Sequence, residues 1–269
     1  MLTFLKLGGS LITDKSQPHT PHKGIIERSA REIAAVRDRR PDLKLVLGHG
    51  SGSFGHVSGE KYGTRDGVES REDWSGFTRV WFDAASLNRI VIEALHAQEL
   101  PAVAFPPSSA VRTRGRKITA WDLEPVKSAL KHDLIPVIYG DVVFDSELGG
   151  TILSTEELFH YAARRIPPDR ILLAGKEPGV WEDYPACTRL IPEIRPESLP
   201  EIQKALGAAQ DTDVTGGMRE KVIQLIRLID HYPDLQAQIF SGEQAGHITQ
   251  ALEGRELGTI LRAAGDQGP

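Results

Sequence analysis

Apolar positions along the chain follow two rhythms that alternate. Short apolar runs at Thr3–Leu7, Lys44–Leu47, Pro101–Phe105, Leu134–Tyr139, Arg170–Ala174, Ala237–Phe240 and Gly258–Leu261 are bounded by glycine, proline or charge and predict strands. Between them apolar residues recur at helical spacing. Ile25, Ile26, Ala30, Ile33, Ala34 and Val36 mark a helix over Gly24–Arg39 that stops at Pro41. Phe77, Val80, Trp81, Ala84, Leu87, Ile90, Val91, Ala94 and Leu95 mark a longer one over Gly76–Leu100. Shorter helices are predicted over Leu123–Lys131, Thr155–Arg165 and Val222–Ile229, the second opened by the capping box Ser154-Thr-Glu-Glu157. Strand–helix–strand units of this kind build a parallel sheet, so the fold class is α/β. Val111–Trp121 and Asp145–Thr151 read as hairpins, and the polar stretch Gly59–Ser75 as a loop or lid. Pro167-Pro168 marks a lobe boundary, and no internal repeat interrupts the pattern.

Several strands run straight into glycine. Lys44–Leu47 is followed by Gly48, Gly50, Gly52 and Gly55, a run that ends in His56. Thr3–Leu7 meets Gly8-Gly9-Ser10, and Leu134–Tyr139 meets Gly140-Asp141. Glycine lets backbone N–H groups approach an anion without interference from Cβ. Ligands bind at the C-terminal edge of open α/β sheets, so these turns predict one shared site. A further glycine turn, within Asp211–Lys221, opens into an apolar helix whose N-terminus suits a phosphate. Lys6 lies inside an apolar strand and must find an anion or leave the core. Lys221 stands in the first turns of its helix, where the dipole does nothing for a structural lysine. Lys15, in Thr13-Asp14-Lys15, reads either as a solvated lysine or as a third cation of the site.

Composition narrows the chemistry. The chain has 269 residues, 40% hydrophobic and 26% charged, enough for one large domain or two small ones. Its formal net charge of −5 argues against nucleic acid or an anionic membrane as partner, so any phosphate site must be a local cluster of cations. The single cysteine, Cys187, excludes an internal disulfide and a cysteine-built metal site. His19 and His22 have no third ligand nearby in sequence, and no metal site is expected. The apolar runs are too short to span a bilayer, and Met1–Lys6 lacks the shape of a signal peptide, so a cytoplasmic setting is expected.

Taken together, Lys6-Leu-Gly-Gly-Ser10, the glycine run ending in His56, Gly140-Asp141 and Thr215-Gly-Gly-Met218 with Lys221 resemble the amino acid kinase family. Within it they are similar to the isopentenyl phosphate kinases, and the motifs span nearly the whole chain. Acylphosphate-forming relatives and uridylate kinases share the N-terminal glycine turn but not the histidine. The resemblance implies a three-layer αβα sandwich with a mainly parallel central sheet, as a single domain over 1–269. Residues 1–166 would form the acceptor-binding and dimerisation lobe and 167–269 the nucleotide-binding lobe. It implies transfer from ATP, with Mg²⁺, to an alkyl phosphate, and a homodimer. By position, Lys6, Gly8, Gly9, Ser10, Gly52, Gly217 and Lys221 would face ATP. Lys15 would stabilise the transferring group, while Ser51, His56 and Gly140 would hold the acceptor phosphate. Lys15, Lys6, His56 and Lys221 would form the catalytic set. Two stretches depart from the family pattern. Gly175-Lys-Glu-Pro-Gly-Val-Trp181 stands where Thr-Asp-Val-Asp-Gly-Val-Tyr is usual, and Ser154-Thr-Glu156 where Ser-Gly-Asp is common.

Other readings share parts of this pattern. A fosfomycin-type phosphonate kinase keeps the fold and changes the acceptor. A nicotinamide-dependent oxidoreductase would use Gly50-x-Gly52-x-x-Gly55 but leaves the other glycine turns unexplained. A ligand-sensing protein on the same scaffold would bind ATP without turnover. No GxxxxGK[ST] loop is present, which argues against a Walker-type ATPase.

Overall fold

The computed structural model describes residues 1–200, 202 and 217–263. The chain opens with β1 (Leu2–Leu7), a single-turn helix α1 (Gly9–Ile12) and α2 (Lys23–Arg39), then β2 (Lys44–His49), α3 (Gly52–Tyr62) and α4 (Arg71–His96). β3 (Ala102–Ala104) precedes the hairpin of β4 (Val111–Arg114) and β5 (Lys117–Trp121), followed by α5 (Glu124–Lys131) and β6 (Ile135–Tyr139). A second hairpin, β7 (Asp141–Asp145) and β8 (Gly149–Leu153), leads into α6 (Thr155–Ala163). Beyond Pro167-Pro168 come β9 (Arg170–Gly175), the two-residue strands β10 (Val180–Trp181), β11 (Leu190–Ile191) and β12 (Glu193–Ile194), then α7 (Gly217–His231), β13 (Gln236–Ser241), α8 (His247–Leu252) and β14 (Thr259–Leu261).

Eight strands form the main sheet in the order β12-β14-β13-β9-β1-β2-β6-β3. From β13 to β3 every neighbouring pair is parallel, and β14 runs antiparallel to β13. Alternate side chains of the inner strands serve opposite faces, as the two-residue period of a strand demands. Phe4, Val46, Ile138, Ile171 and Ile239 pack with α5, α6 and α7. Leu5, Leu47, Val137, Leu172 and Phe240 pack with α2, α4 and α8. Strands buried on both sides read as continuous apolar runs, which is why their positions were plain in the sequence. The result is the three-layer αβα sandwich. The two predicted hairpins join into a separate four-stranded sheet, β5-β4-β7-β8. It packs on α4 through Val142, Val68, Phe77 and Val80.

The expected loop or lid over Gly59–Ser75 is mostly helix. α3 runs on to Tyr62 and ends at Gly63 in the left-handed region (φ 59°). α4 starts at Arg71, ahead of the predicted Gly76, because Ser70 and Asp73 form a capping box. α3 shows little apolar periodicity because its inner face is largely glycine and serine: Gly52, Ser53, Gly55, Ser58 and Gly59 are buried along it. His22 is tied into the fold, since its Nδ1 lies 3.0 Å from the Leu11 carbonyl. Among the described residues no helix is long and apolar enough to cross a membrane.

Candidate active site

Parallel strands place the C-terminal ends of β1, β2, β6 and β9 on one edge of the sheet. A cavity of about 920 Å³ opens there. Lys6, Gly8, Gly9, Ser10, Lys15, Ser51, Gly52, His56, Gly140, Gly217 and Lys221 all line it, so the eleven residues given site roles in the sequence reading reach one space. Thr215 and Gly216, part of the last glycine turn, lie outside the described residues.

The floor is electrostatic. Lys6 is paired in register with Gly48 and Leu173 at the centre of the sheet and is almost fully buried. Its ammonium forms an ion pair with Glu156. Lys221, half-buried in the first turns of α7, lies 3.9 Å from the same carboxylate oxygen. Glu156 is aimed at them by the N-terminus of α6, where the Ser154 hydroxyl accepts from the Glu157 N–H at 3.2 Å and the Glu157 carboxylate from the Ser154 N–H at 2.6 Å. Burial alone would raise the Glu156 carboxyl, but the two ammonium groups outweigh it and hold the group below the usual carboxylate range. Glu156 is thus the organiser of two lysines from distant parts of the chain.

The walls are backbone. A Cβ on Gly9 would sit 2.6 Å from the Gly52 nitrogen, so the first two glycine turns touch main chain to main chain. Gly52 itself adopts φ 49°, and a Cβ there would lie 2.1 Å from the Thr13 hydroxyl. Thr13 ties the turns together, donating to the Gly9 carbonyl at 2.7 Å and accepting from the Ser53 N–H at 2.9 Å. Ser51 and Gly52 stand at the N-terminus of α3, where amide groups and the helix dipole favour an anion. His56 sits one turn further on, half-buried, on the side that Gly140 and Ile152 also line.

Phe77 and Val80 belong to the buried apolar stripe of α4. They are buried behind the cavity in a cluster with Val68 and Val142, and Ile152, packed against that cluster, is the side chain that reaches the cavity. Among the lining residues to which sequence reasoning gave no role are Lys176, Glu177, Trp181 and Tyr184. They follow β9, where the Trp181 indole donates to the Glu177 carboxylate at 2.8 Å. Three belong to the stretch that departs from the family pattern, and its new charges were the signal available. Among the described residues no cluster of histidine, cysteine, aspartate or glutamate could hold a metal ion.

Comparison with known proteins agrees in its direction. The model of the amino acid kinase family matches residues 1–241. The isopentenyl phosphate kinase of Methanocaldococcus jannaschii is 35% identical over 267 residues, covering 97% of this chain and 98% of that protein. That of Methanothermobacter thermautotrophicus is 33% identical over 266 residues, covering 95% of this chain and 97% of that protein. Among solved structures, one of an isopentenyl phosphate kinase superposes with a TM-score of 0.81 at 29% identity, covering 97% of this chain and all of the other.

Proposed function

The chain belongs to the amino acid kinase family, on its isopentenyl phosphate kinase branch, and we propose that it transfers the γ-phosphoryl group of ATP to isopentenyl phosphate, giving isopentenyl diphosphate and ADP. One observation carries the reading at the level of chemistry. Lys6, Lys221 and Glu156 meet in the same cavity as the glycine turns and His56, where two polyanions would have to be brought together.

An oxygen of the acceptor phosphate attacks the γ-phosphorus, and the bond from that phosphorus to the β–γ bridging oxygen breaks. The acceptor is already largely anionic near neutral pH, by analogy with the second pKa of about 6 of phosphorylated side chains, so no general base is needed. The barrier is repulsion between negative groups, and catalysis is positioning and charge stabilisation. Lys6 and Lys221 face the ATP phosphates with Gly8, Gly9, Ser10, Gly52 and Gly217. Lys15 neutralises the group in transit. His56 donates to the acceptor phosphate beside Ser51 and Gly140, and Ile152 begins the wall met by the alkyl tail. Mg²⁺ enters with ATP as part of the substrate, held by phosphate oxygens. That fits a cavity whose central carboxylate, Glu156, is already taken by two lysines.

We assign residues 1–166 to acceptor binding and dimerisation and 167–269 to the nucleotide. We also propose a cytoplasmic setting and a homodimer; the dimer is supported by exposed Trp81 and Phe82 on α4 and exposed Val103 on β3, an edge strand of the main sheet. ADP release with ATP, Mg²⁺ and a panel of isopentenyl phosphate, fosfomycin, glutamate and uridylate tests the reading. Turnover of isopentenyl phosphate is expected. Preference for fosfomycin would move the assignment to a phosphonate kinase, and ATP binding without any turnover would favour a sensor.

A further inference from the structure

His49 opens the glycine run yet is fully buried, does not line the cavity, and has no part in the roles assigned above. It lies within hydrogen-bond distance of three residues that line the cavity, Gly50, Gly140 and Thr155. Its Nδ1 lies 3.1 Å from the Gly50 carbonyl and its Nε2 3.1 Å from Oδ1 of Asn88 on α4. The ring stacks on Tyr139, with centroids 5.3 Å apart and planes 3° from parallel. Its own carbonyl accepts from the Gly140 N–H at 3.2 Å and from the Thr155 hydroxyl at 2.6 Å.

A carbonyl can only accept, so the proton must be on Nδ1. Burial, and after it the nearby charge of Lys6, disfavours the imidazolium and holds His49 below the usual histidine range. Both facing atoms stand as acceptors, and a neutral ring can answer only one of them. The Gly50 carbonyl is fixed, whereas the Asn88 amide can be turned end for end so that its NH₂ group donates to the bare Nε2. Gly50 is pinned at both ends, because its N–H donates to the Leu7 carbonyl at 3.2 Å. In a planar trans peptide the C=O and the following N–H point opposite ways. Holding the Gly50 carbonyl toward the buried imidazole therefore turns the Ser51 N–H away from it, on the residue that lines the cavity.

We propose that His49, neutral and protonated at Nδ1, is a positioning residue for the acceptor phosphate. Its ring fixes the Gly50–Ser51 peptide, and its carbonyl fixes Gly140 and Thr155 at the same end of the cavity. This rests on the assignment of Ser51 and Gly140 to the acceptor.

Two-bond ¹H–¹⁵N spectra of the histidine-labelled, unmodified protein will show the Nδ1–H tautomer at His49. The Nε2–H tautomer, or an imidazolium at pH 7, overturns the proposal. In kinetics His49→Leu raises the KM for isopentenyl phosphate about tenfold, with kcat and the KM for ATP within about twofold. His49→Asn, which returns an N–H near the Nδ1 position, recovers the acceptor KM to within about threefold of the unmodified protein. A merely structural role would lower the melting temperature and leave the acceptor KM where it was, and that result also overturns the proposal. Should His49→Leu not fold, Thr155→Val tests the carbonyl arm: about a threefold rise in acceptor KM is expected, and no rise refutes it. If the unmodified protein does not turn over isopentenyl phosphate, the substrate assignment falls by itself. The tautomer, and the KM for whichever acceptor is used, still decide the role of His49.

Discussion

Asp145 and Glu156 are both buried carboxylates held below the usual range for their type, and the fold answers them in opposite ways. Asp145 ends β7 in the small sheet. It accepts the backbone N–H groups of Gly115, Arg116, Glu147 and Leu148 at 2.8–3.0 Å, joining the turns of two hairpins. Burial would raise it, but those N–H groups outweigh burial and pull it down. Glu156 faces two lysine ammonium groups carried by a strand and a helix far apart in sequence. Backbone donors are fixed and belong to the fold alone. Ammonium groups on flexible stems can be shared with an arriving phosphate. The contrast separates a carboxylate that stabilises structure from one that arranges cations for a ligand.

Lys15 gives the largest test of that distinction. It is an exposed side chain on a surface turn that reaches the cavity. An exposed ammonium is screened by water, so its loss should matter to chemistry far more than to folding. Lys15→Ala is expected to lower kcat about 10³-fold, the low end for loss of a transition-state cation in phosphoryl transfer. Stability should move by less than about 0.5 kcal/mol. A loss confined to the KM for ATP would show instead that Lys15 only binds nucleotide.

Asp145→Ala should do the reverse. Several buried N–H groups lose one acceptor, and the expected cost is about 3 kcal/mol of stability, read from denaturant unfolding, with KM values unchanged. The pH dependence has a definite sign. The folded pKa of Asp145 lies below its unfolded value of about 3.9, so its contribution is present above that pH and is lost as pH falls through the folded pKa. The stability gap between the unmodified protein and Asp145→Asn should therefore shrink as pH falls from about 5 to about 2. A constant gap would mean that the carboxylate charge is not what the hairpins use.

Glu156→Gln places the two regions on one scale. Lys6 loses its counter-charge, at an expected cost of about 2 kcal/mol without ligand, below the range for a fully buried pair because the cavity admits water. On the proposed assignment, ATP would supply new anions to the same lysines. The rise in melting temperature on adding ATP should therefore be larger for Glu156→Gln than for the unmodified protein, and unaltered for Asp145→Ala. An equal ATP effect in both variants would dissolve the distinction.

These two carboxylates also mark what the sequence could and could not convey. Lys6 was legible because a lysine in an apolar strand has few ways to survive, and the glycine turns because each follows a strand. Glu156 was visible within a capping-box motif and, through the family resemblance, at a position where an aspartate is common, but nothing in one dimension ties α6 to β1. α3 escaped because a helix that packs through glycine and serine leaves no apolar stripe. The joining of two hairpins through Asp145 was hidden for a different reason, because the bonds are made by backbone groups that every residue has. Glycine turns after strands and a lysine in an apolar strand could be picked out before the fold was known, whereas bonds made to ordinary backbone groups, as at Asp145 and His49, could not.

His56 carries the smallest of the expected effects and tests where that line falls inside the site. It is a side chain on α3, whose N-terminal turn carries Ser51 and Gly52, so backbone and imidazole would share the acceptor phosphate. Backbone donors remain in His56→Ala, so binding should weaken rather than vanish. The KM for isopentenyl phosphate is expected to rise about tenfold, the scale of one charge-assisted hydrogen bond, with kcat reduced less. The KM for ATP should stay within about twofold, because Lys6 and Lys221 are untouched. An acceptor KM that does not move would place the phosphate on the amide groups alone. The histidine would then serve the helix and not the ligand, and the division between fixed and shareable donors would run through α3 itself.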